Sequence, residues 1–441
     1  MVQMKSGRKV QGIVYHQNGA AVHILCLHRT ALEGGFWQPL TGTVEEGESY
    51  EKCLVRELEE ETGILNEQIM YTTGPLKTFR WNREGIEYEE HVYAVQVSPE
   101  TQVSLSTEHD EYRWLIPERA KELFKFSEVQ DGVDILHRKA ATQHQVVAKV
   151  TRALASELGW TLNPASLRSI FAGFANHVFS FEYENEKYYV KYFPEVFKEK
   201  ESVAKPAGSF ERESLVYELA NTNNSMSTPE LIHQSKTEPL LVTKAWGLAL
   251  NPDMLDSMTI PELADQICLI VKHAASFRSV LSSESMKSAL TEFSKQQAQY
   301  LILNPLQNLH LPDEVAKSFI EEYSTLDTGV ILGDLSLKNI LIDGSQVRFC
   351  DFESVFVAPQ LFDTCYLIAD LVSKLDQSKC SPLLNELYDS FKSGLTHKER
   401  SVFFPLTAVC MSYRNANSLS TRTDKNLELG FLHSVFNTKP L

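Results

Sequence analysis

Short apolar runs typical of buried strands alternate with one amphipathic helix in the first third of the chain. Residues 11–15 and 21–28 are rich in apolar and β-branched side chains, and similar runs lie at residues 90–97 and 112–116. Ser49 precedes a pattern with apolar residues three and four positions apart, and Gly63 follows its last turn. These features predict strands around a helix that begins after Ser49 and ends before Gly63.

After residue 116 the pattern changes to helical spacing, followed by a hairpin and a mostly helical remainder. Residues 117–158 carry apolar residues at helical spacing, and residues 177–193 alternate as in a hairpin that turns at residues 184–187. From residue 261 the pattern is mostly helical, with strand-like pieces around Ile340 and Val347. The change of pattern predicts two folded parts joined by helices near residues 140–160.

Composition and charge narrow the class of protein. The chain has 441 residues, of which 43% are hydrophobic and 23% charged, as in ordinary soluble proteins of two or three domains. The net charge, 42 minus 58, is −16, which argues against a nucleic-acid-binding protein but is compatible with metal–nucleotide chemistry. Seven scattered cysteines without a Cys-x-x-Cys pair argue against a disulfide scaffold and structural zinc. With no signal-like or membrane-spanning apolar run, a reduced cytoplasmic protein is predicted.

The helix after Ser49 carries a concentrated set of acids. Glu57, Glu60 and Glu61 stand at i, i+3 and i+4 and share one face, whereas Glu59 points away. Between residues 45 and 61 there are eight acids and two bases, a net charge of −6. Three carboxylates on one face suit Mg²⁺ or Mn²⁺, which prefer oxygen ligands. The alternative is a solvated acidic helix without a ligand.

Residues 42–64, GTVEEGESYEKCLVRELEEETGI, fill every fixed position of the Nudix box. The segment therefore resembles the Nudix hydrolases, which cleave nucleoside diphosphates linked to another group. The resemblance implies that Glu57, Glu60 and Glu61 bind the metal, with Glu57 or Glu60 as catalytic base. It gives Gly42 a place in substrate binding and makes three further residues parts of the structural motif: Glu48, Arg56 and Gly63.

Residues outside the box complete the predicted first site. Glu108 is the first candidate for an additional metal-binding acid and Glu111 the second, with a plain surface role as the alternative for either. The segments FWQPLTGTVEEGE and TEHDEYRWL resemble the Nudix branch that acts on dihydroneopterin triphosphate and deoxynucleoside triphosphates. Arg29 and Trp37 are candidate nucleotide-binding residues. Trp37 would stack on a base or pterin, or else simply pack in the core.

A second set of polar residues lies in VILGDLSLKNILIDGSQVRFCDFES. Asp334 is followed by Asn339 after five residues and by Asp351 after twelve more. Phosphoryl transfer requires such a set, because a base accepts the proton of a hydroxyl group while an amide and a carboxylate hold Mg²⁺ on a nucleotide. Upstream, Lys191 lies in a strand-like run and Glu213 in a helical segment, as an anion-binding lysine and its partner would.

This combination resembles the aminoglycoside phosphotransferase and choline kinase group over roughly residues 160–440. The resemblance implies that Asp334 is the base, that Asn339 and Asp351 bind metal, and that Lys191 anchors phosphate with Glu213 as its partner. It gives Asp363 a structural role, and Gly173 and Asn176 would lie in a loop over the nucleotide. Two departures are Leu332 and Ser336, which stand where the group usually has histidine.

The predicted fold is a two-domain α+β protein. Residues 1–145 would form a Nudix α/β/α sandwich with a mixed sheet, residues 146–165 a helical linker, and residues 166–441 a bilobal protein-kinase-like domain with a small β-rich lobe and a large helical lobe. The predicted function is a Mg²⁺- or Mn²⁺-dependent nucleotide pyrophosphohydrolase fused to an ATP-dependent kinase of an unidentified hydroxyl acceptor. The alternative is a nucleotide sensor in which a pseudokinase regulates the Nudix domain. No membrane or nucleic-acid partner is expected.

Overall fold

The computed structural model describes residues 5–18, 21–45, 48–170, 176–194, 209–250, 255, 257–309, 312–375 and 377–417. The chain divides into two compact units. The first comprises Met1–Tyr192 and Ser235–Glu238, and the second comprises Phe193–Gln234 and Pro239–Leu441. These units are defined by contacts within the chain and not by activity, so the domain limits given above stay a prediction. No helix of the described segments is long and apolar enough to span a membrane.

The first unit is built on a mixed sheet, as predicted. Its described residues contribute seven strands in the order β3-β2-β1-β6-β5, with β4 added to β1 and β7 to β2. The pair β1–β6 is parallel, and the other pairs are antiparallel. The strands are β1 Lys5–Asn18, β2 Ala21–Arg29, β3 Trp37–Gln38, β4 Leu40–Thr43, β5 Ile69–Arg83, β6 Ile86–Val97 and β7 His109–Leu115.

Helices cover both faces of this sheet. They are α1 Tyr50–Thr62, α2 Pro117–Leu123 and α3 Ser127–Leu158. Side chains alternate along β1, so Val10 packs in the core that contains Leu54 and Leu58 of α1, whereas Ile13 packs in the core that contains Val133 of α3. The helical pattern predicted for residues 117–158 is interrupted at residues 124–126, between α2 and α3.

The ends of α1 follow from local chemistry. The Ser49 hydroxyl accepts the Lys52 backbone N–H at 3.2 Å, which satisfies one of the free N–H groups of the first turn. Gly63 adopts a left-handed φ of 65°, and its N–H donates to the Glu59 carbonyl at 2.9 Å. Both limits agree with the sequence pattern, and they fix the rotation of the acidic face.

Three further strands belong to the first unit: β8 Arg168–Ile170, β9 His177–Tyr183 and β10 Glu186–Tyr192. The β9–β10 hairpin turns on Glu184 and Asn185, both at positive φ, so its turn is two residues shorter than the predicted one. At the end of α3, the Glu157 carboxylate accepts hydrogen bonds from the Ser235 hydroxyl at 2.9 Å and from the backbone N–H of Lys236 at 3.0 Å. These bonds attach the short segment Ser235–Glu238 to this unit.

The second unit is mainly helical, with small antiparallel sheets. Its described strands pair as β11–β12, β13–β15–β16 and β14–β17. Helix α9 lies in the centre of the core and is buried along its whole length. The helices are α4 Ser209–Thr222, α5 Ile260–Leu281, α6 Glu284–Ala298, α7 Asn304–Asn308, α8 Asp313–Ser324, α9 Leu361–Val372, α10 Gln377–Phe391 and α11 His397–Asn417. The strands are β11 Leu231–Gln234, β12 Leu240–Lys244, β13 Leu248–Ala249, β14 Thr328–Ile331, β15 Ile340–Asp343, β16 Gln346–Phe349 and β17 Phe356–Pro359.

Candidate functional sites

Arg56 lies at the centre of the acidic face of α1. Its Nε and Nη2 atoms bind the two carboxylate oxygens of Glu48 at 2.9 and 3.0 Å. Its Nη1 atom lies 3.0 Å from Oε1 of Glu57 and 3.0 Å from Oε2 of Glu60. One guanidinium therefore holds three of the acids predicted for this site, and it lowers the repulsion between them. The hydrogen bond from Arg56 is also the main reason that the pKa of Glu48 lies below its usual value.

Gly42 of β4 gives Glu57 the space that it occupies. A Cβ atom at position 42 would lie 2.2 Å from Cγ and 2.4 Å from Cδ of Glu57, far inside van der Waals contact. The Glu57 carboxyl also accepts a hydrogen bond from the backbone of Thr43, which directly follows Gly42 on β4. The strand and the helix thus meet at a position where only glycine fits.

We expect Gly42→Ala to disable the site without unfolding the unit. The added methyl group must push Glu57 aside, at an overpacking cost of about 1–3 kcal/mol. The catalysis predicted from the sequence would then lose one correctly placed carboxylate, which corresponds to a loss of about 10²-fold or more. The rate of the predicted hydrolysis and the melting temperature should be measured together, with Gly394→Ala as a control because its Cβ would meet nothing closer than 3.6 Å. A fully active Gly42→Ala protein would contradict this role of Gly42.

Glu61 is the most deeply buried acid of the set. Its residue is 6% exposed, and its Oε2 atom has no hydrogen-bond partner. Burial, followed by the charges of Glu57 and Glu108, raises its pKa to about 8. Burial also raises the pKa of Glu57. An ionised carboxylate in this position needs a positive partner.

Glu108 approaches this acid from outside α1. The Ser106 N–H donates to the backbone carbonyl of Glu61 at 3.1 Å, and the Thr30 N–H donates to that of Glu108 at 2.9 Å. Arg29, at the end of β2, donates from Nη2 to the Glu108 carboxylate at 2.9 Å. Of the two acids considered outside the box, Glu108 interacts with Glu61, whereas Glu111 forms a 2.7 Å ion pair with Arg113 on β7.

Trp37 lies on β3, where its ring has two polar neighbours. The Arg113 guanidinium carbon is 4.7 Å from the ring centroid, and the His28 ring centroid is 5.0 Å away on a tilted plane. The side chain is half-buried and packs against the core on the α3 side of the sheet. These contacts explain its position by packing, so a stacking role for Trp37 stays a prediction.

Sequence reasoning missed a row of buried polar residues on the α3 side of the sheet. Gln11 and Glu90 are each 5% exposed and hydrogen-bonded to each other, and the Gln11 Oε1 atom has no hydrogen-bond partner. The Trp81 Nε1–H donates to Glu90 at 2.6 Å. Nearby, Gln38 donates to the Thr41 hydroxyl at 3.2 Å. The available signal was Gln11 itself, a polar residue at a core-facing position of an apolar strand.

The second unit brings Asp334 and Asn339 into direct contact. The Asn339 Nδ2 atom donates to the Asp334 backbone carbonyl at 3.0 Å and to its carboxylate at 3.1 Å. The Cys350 N–H donates to the Asn339 carbonyl at 3.0 Å, so Asp351 follows at the same end of the β15–β16 hairpin. Asp351 has a φ of 65°, a conformation that a residue other than glycine adopts at some energetic cost.

Asp363 supports this loop from α9. It is fully buried, and its two carboxylate oxygens accept the backbone N–H groups of Leu332 and Gly333, both at 2.9 Å. The buried Arg278 donates to the same carboxylate at 3.1 Å. Leu332, which stands at a position where histidine is usual in the kinase group, thus contributes its backbone N–H, while Ser336 is completely buried.

The remaining predicted residues are placed as follows. Lys191 lies in β10 of the first unit, and Asn176 directly precedes β9. Glu213 lies in α4 of the second unit, where it is 2% exposed. Gly173 lies outside the described residues. The structure therefore shows Asp334, Asn339 and Asp351 at one end of a hairpin, and the relation of Lys191 to them stays a prediction.

Solved structures with local similarity to this chain include two hydrolases. An Ap4A hydrolase from C. elegans is 21% identical, with 31% of this chain and 98% of that chain covered and a TM-score of 0.28. The dihydroneopterin triphosphate pyrophosphohydrolase of E. coli is 25% identical, with 29% and 92% covered and a TM-score of 0.26.

Two curated relatives are similar to part of this chain. An octanoyltransferase from Myxococcus xanthus is 33% identical over 132 residues, which are 29% of this chain and 35% of that protein, so the chain spans about a third of its length. The dihydroneopterin triphosphate diphosphatase of Haemophilus influenzae is 26% identical over 136 residues, or 28% and 84% of the two chains. The sequence profile of the NUDIX domain matches residues 5–133. Residues 5–133 of this chain therefore form a Nudix domain.

Proposed function

We propose that the first unit is a divalent-cation-dependent pyrophosphohydrolase of a nucleoside triphosphate or another nucleoside diphosphate derivative. A Nudix domain supports hydrolysis of phosphoric anhydrides in general. The observation that carries the proposal is the buried Glu61 carboxyl, whose Oε2 atom has no partner and which feels the negative charges of Glu57 and Glu108. Such an arrangement is costly to the fold and is explained by a cation that uses it.

The donor set fits Mg²⁺ or Mn²⁺. All candidate ligands are carboxylates, and Glu61 offers a buried oxygen that no protein group satisfies. Within the described segments, no three acidic, histidine or cysteine side chains already converge as a complete metal cage. Arg56 holds Glu57 and Glu60 instead, so binding of a cation by these acids would replace the two Arg56 Nη1 contacts. Glu57, Glu60 and Glu61 would hold the cation, with Glu108 as an additional ligand.

Each group then has a task in hydrolysis. The bound cation supplies charge neutralisation of the diphosphate oxygens and a more acidic water. Glu57 or Glu60 accepts the proton of the attacking water as general base. Arg29, which reaches the Glu108 carboxylate at 2.9 Å, is placed to bind a phosphate oxygen at the rim of the same site. Arg56 keeps the acids oriented through Glu48.

The buried polar row supports a nucleoside or a related heterocycle as part of the substrate. Gln11 presents an oxygen without a partner, and Glu90 has a pKa that burial raises above its usual value. Both side chains lie on the α3 side of the sheet, where Glu90 accepts the Trp81 Nε1–H, whereas Gly42 faces Glu57 of α1 on the other side. Amide and carboxyl groups in an apolar surrounding recognise ring N–H and carbonyl groups, and an indole offers a stacking surface.

The test is an assay of the full chain with Mg²⁺ against nucleoside triphosphates, dinucleoside polyphosphates and nucleotide sugars. Phosphate, pyrophosphate and nucleoside monophosphate should be measured separately, because the product identifies the bond that is cleaved. We expect turnover of at least one substrate class and complete loss of turnover with EDTA, restored by excess Mg²⁺. Absence of turnover with every class would refute the proposal.

For the second unit we propose an ATP-dependent kinase of a small molecule with a hydroxyl group. The specific observation is the Asp334–Asn339 contact at the end of the β15–β16 hairpin, next to Asp351. Asp334 would accept the hydroxyl proton, and Asn339 and Asp351 would hold Mg²⁺ on ATP. Asp363 supports this assignment indirectly, because a fully buried acid that binds two backbone N–H groups fixes the loop that carries the base.

Replacement of the base tests this second function. We expect Asp334→Asn to lower ATP-dependent phosphorylation of a hydroxyl substrate by about 10²–10⁴-fold, because the hydroxyl proton loses its acceptor. Binding of Mg-ATP should change less than threefold, as measured by calorimetry on the full chain. Asp343→Asn, an exposed acid of the same hairpin, is the matched control. A wild-type chain that binds Mg-ATP but transfers phosphate to no member of a hydroxyl-metabolite panel would favour the nucleotide sensor.

A further inference from the structure

Lys338 places a positive charge beside the proposed base of the second unit. It precedes Asn339 directly, and its Nζ atom lies 3.7 Å from Oδ2 of Asp334. Its side chain is 48% exposed, so the ammonium group is accessible to a ligand. The lysine is thus on the same short loop as the base and one of the proposed metal ligands.

The backbone brings Asp351 to the same place. Ile340 and Phe349 face each other at the first pair of the β15–β16 hairpin, and the Asn339 carbonyl accepts the Cys350 N–H at 3.0 Å. The Lys338 ammonium is attracted by the carboxylates of Asp334, 3.7 Å away, and of Asp351. The charged amine therefore lies in the field of both proposed catalytic carboxylates.

The position of Lys338 agrees with the path that a phosphoryl group would take during transfer. The acceptor hydroxyl must lie at Asp334, and the ATP phosphates must lie at the cation held by Asn339 and Asp351. The transferred group passes between the two and carries negative charge on its equatorial oxygens. We propose that Lys338 is a catalytic residue that contacts the transferred γ-phosphoryl group and stabilises its charge during transfer, an inference that rests on the proposed kinase function.

Lys374 shows what a lysine with a structural role looks like in the same unit. It binds the carboxylate of the fully buried Asp370 at 2.8 Å, and the Leu337 N–H and Arg414 bind the same carboxylate. Lys374 thereby helps to anchor the loop to α9. Lys338 differs in its position, because its Nζ atom lies 3.7 Å from the carboxylate of the proposed base and its side chain is 48% exposed.

An acyl phosphate derivative of ATP tests the contact without knowledge of the acceptor. In this probe a carboxylic acyl group is linked to the γ-phosphate of ATP. A lysine amine that contacts this phosphate attacks the acyl carbon and forms an amide. The bond between the acyl carbon and the phosphate oxygen breaks, ATP leaves, and the amine releases a proton. The full chain is treated with the probe and Mg²⁺, with and without excess Mg-ATP, and labelled peptides are quantified by mass spectrometry. Protection by Mg-ATP is the measure, because it compares the labelling of the same lysine with and without the nucleotide.

We expect acylation of Lys338 that falls at least about tenfold with excess Mg-ATP, and less than twofold change at Lys317, an exposed control on α8. In Lys338→Arg the label at position 338 is lost, while binding of Mg-ATP to the full chain, measured by calorimetry, persists. Binding of Mg-ATP by the wild type with Lys338 unmodified or unprotected would overturn the role of Lys338 and leave the ATP site standing. Absence of Mg-ATP binding and of any Mg-ATP-protected lysine would overturn both.

Discussion

Glu61→Gln is expected to lower the Mg²⁺-dependent hydrolysis proposed for the first unit by about 10²–10⁴-fold, the range typical of the loss of a charged catalytic group. The amide has almost the same shape as the carboxyl group but cannot supply negative charge to a cation. The wild-type group has a pKa of about 8, so it is largely protonated at pH 7 when no cation is bound. Glutamine imitates this neutral form, and the substitution removes charge without creating a cavity.

The same pKa predicts the effect on stability. In the unfolded chain a glutamate ionises near its usual pKa of about 4.3, whereas the folded chain keeps the Glu61 proton up to about pH 8. The native state therefore binds more protons between these pH values, and its stability falls as the pH rises through this window. Glutamine does not ionise, so a variant with glutamine at this position does not lose this stability as the pH rises. Without divalent cations at pH 8, the variant should melt at a higher temperature than the wild type.

Glu59→Gln is the matched control, because Glu59 lies on the same helix and is exposed on the opposite side. We expect near wild-type turnover from this variant. Initial rates with saturating Mg²⁺ and a substrate identified by the panel should be compared with melting curves in EDTA. Turnover of Glu61→Gln within threefold of the wild type would remove Glu61 from the proposed site, and a lowered melting temperature would contradict the pKa argument.

Asp363→Ala is expected to destabilise the second unit by about 3–5 kcal/mol, the usual cost of leaving one partner of a buried ion pair alone. The side chains of Asp363 and Arg278 are 0% and 6% exposed, so the arginine has no access to bulk water when its partner is removed. Two backbone N–H groups, those of Leu332 and Gly333, lose their acceptor as well. Gly333 has a φ of 78°, a left-handed conformation that glycine adopts readily and that these bonds help to hold.

Denaturant unfolding followed by pulsed hydrogen exchange can separate the two units, because peptides of residues 260–417 report on the second one. Asp389→Ala is the control, since Asp389 forms an exposed ion pair with Lys392 that contributes about 0–1 kcal/mol. The denaturant midpoint of the second unit should be lower in Asp363→Ala than in Asp389→Ala. The midpoint of the first unit should be the same in both variants. Equal midpoints for both variants in the second unit would show that Asp363 is not a structural anchor.

The elements best predicted from the sequence are those with local causes. Helix α1 begins after Ser49 and ends before Gly63 because a hydroxyl cap and a left-handed glycine act within a few residues. Strand β6, predicted at residues 90–97, extends back to Ile86 because it pairs in parallel with β1 along eleven positions. Such an extension depends on a partner distant in sequence, which periodicity alone does not reveal.

Strand β5 was not predicted at all. Residues 69–83 contain seven polar or charged side chains as well as a glycine and a proline, and their strand conformation follows from pairing with β6 through a turn at Glu84 and Gly85, both at positive φ. The Glu-Gly pair before an alternating segment was the available signal. The short strands β13, β14 and β17 are likewise defined by partners that lie far away in sequence.

In the candidate sites, too, the sequence predicts features with local causes and misses those that depend on residues distant in sequence. The spacing of Glu57, Glu60 and Glu61 places them on one helix face, but only the folded chain shows that Arg56 bridges two of them and that Glu61 is buried. Burial is the main cause of the raised pKa of Glu61, and the charge of Glu108, which is distant in sequence, adds to it. Gln11 and Glu90 are 79 residues apart in sequence and belong to two different strands, so no local pattern could join them.

The segment Ser235–Glu238 has a consequence for dissection of the chain in the laboratory. It belongs to the first compact unit, although the residues on both sides of it belong to the second, so the polypeptide passes from one unit to the other at 192–193, 234–235 and 238–239. A truncation after Tyr192 would deprive Glu157 of its hydroxyl and amide donors. The two units are interleaved along the chain and not simply joined end to end, and the two proposed activities should be separated by point substitutions in the intact chain.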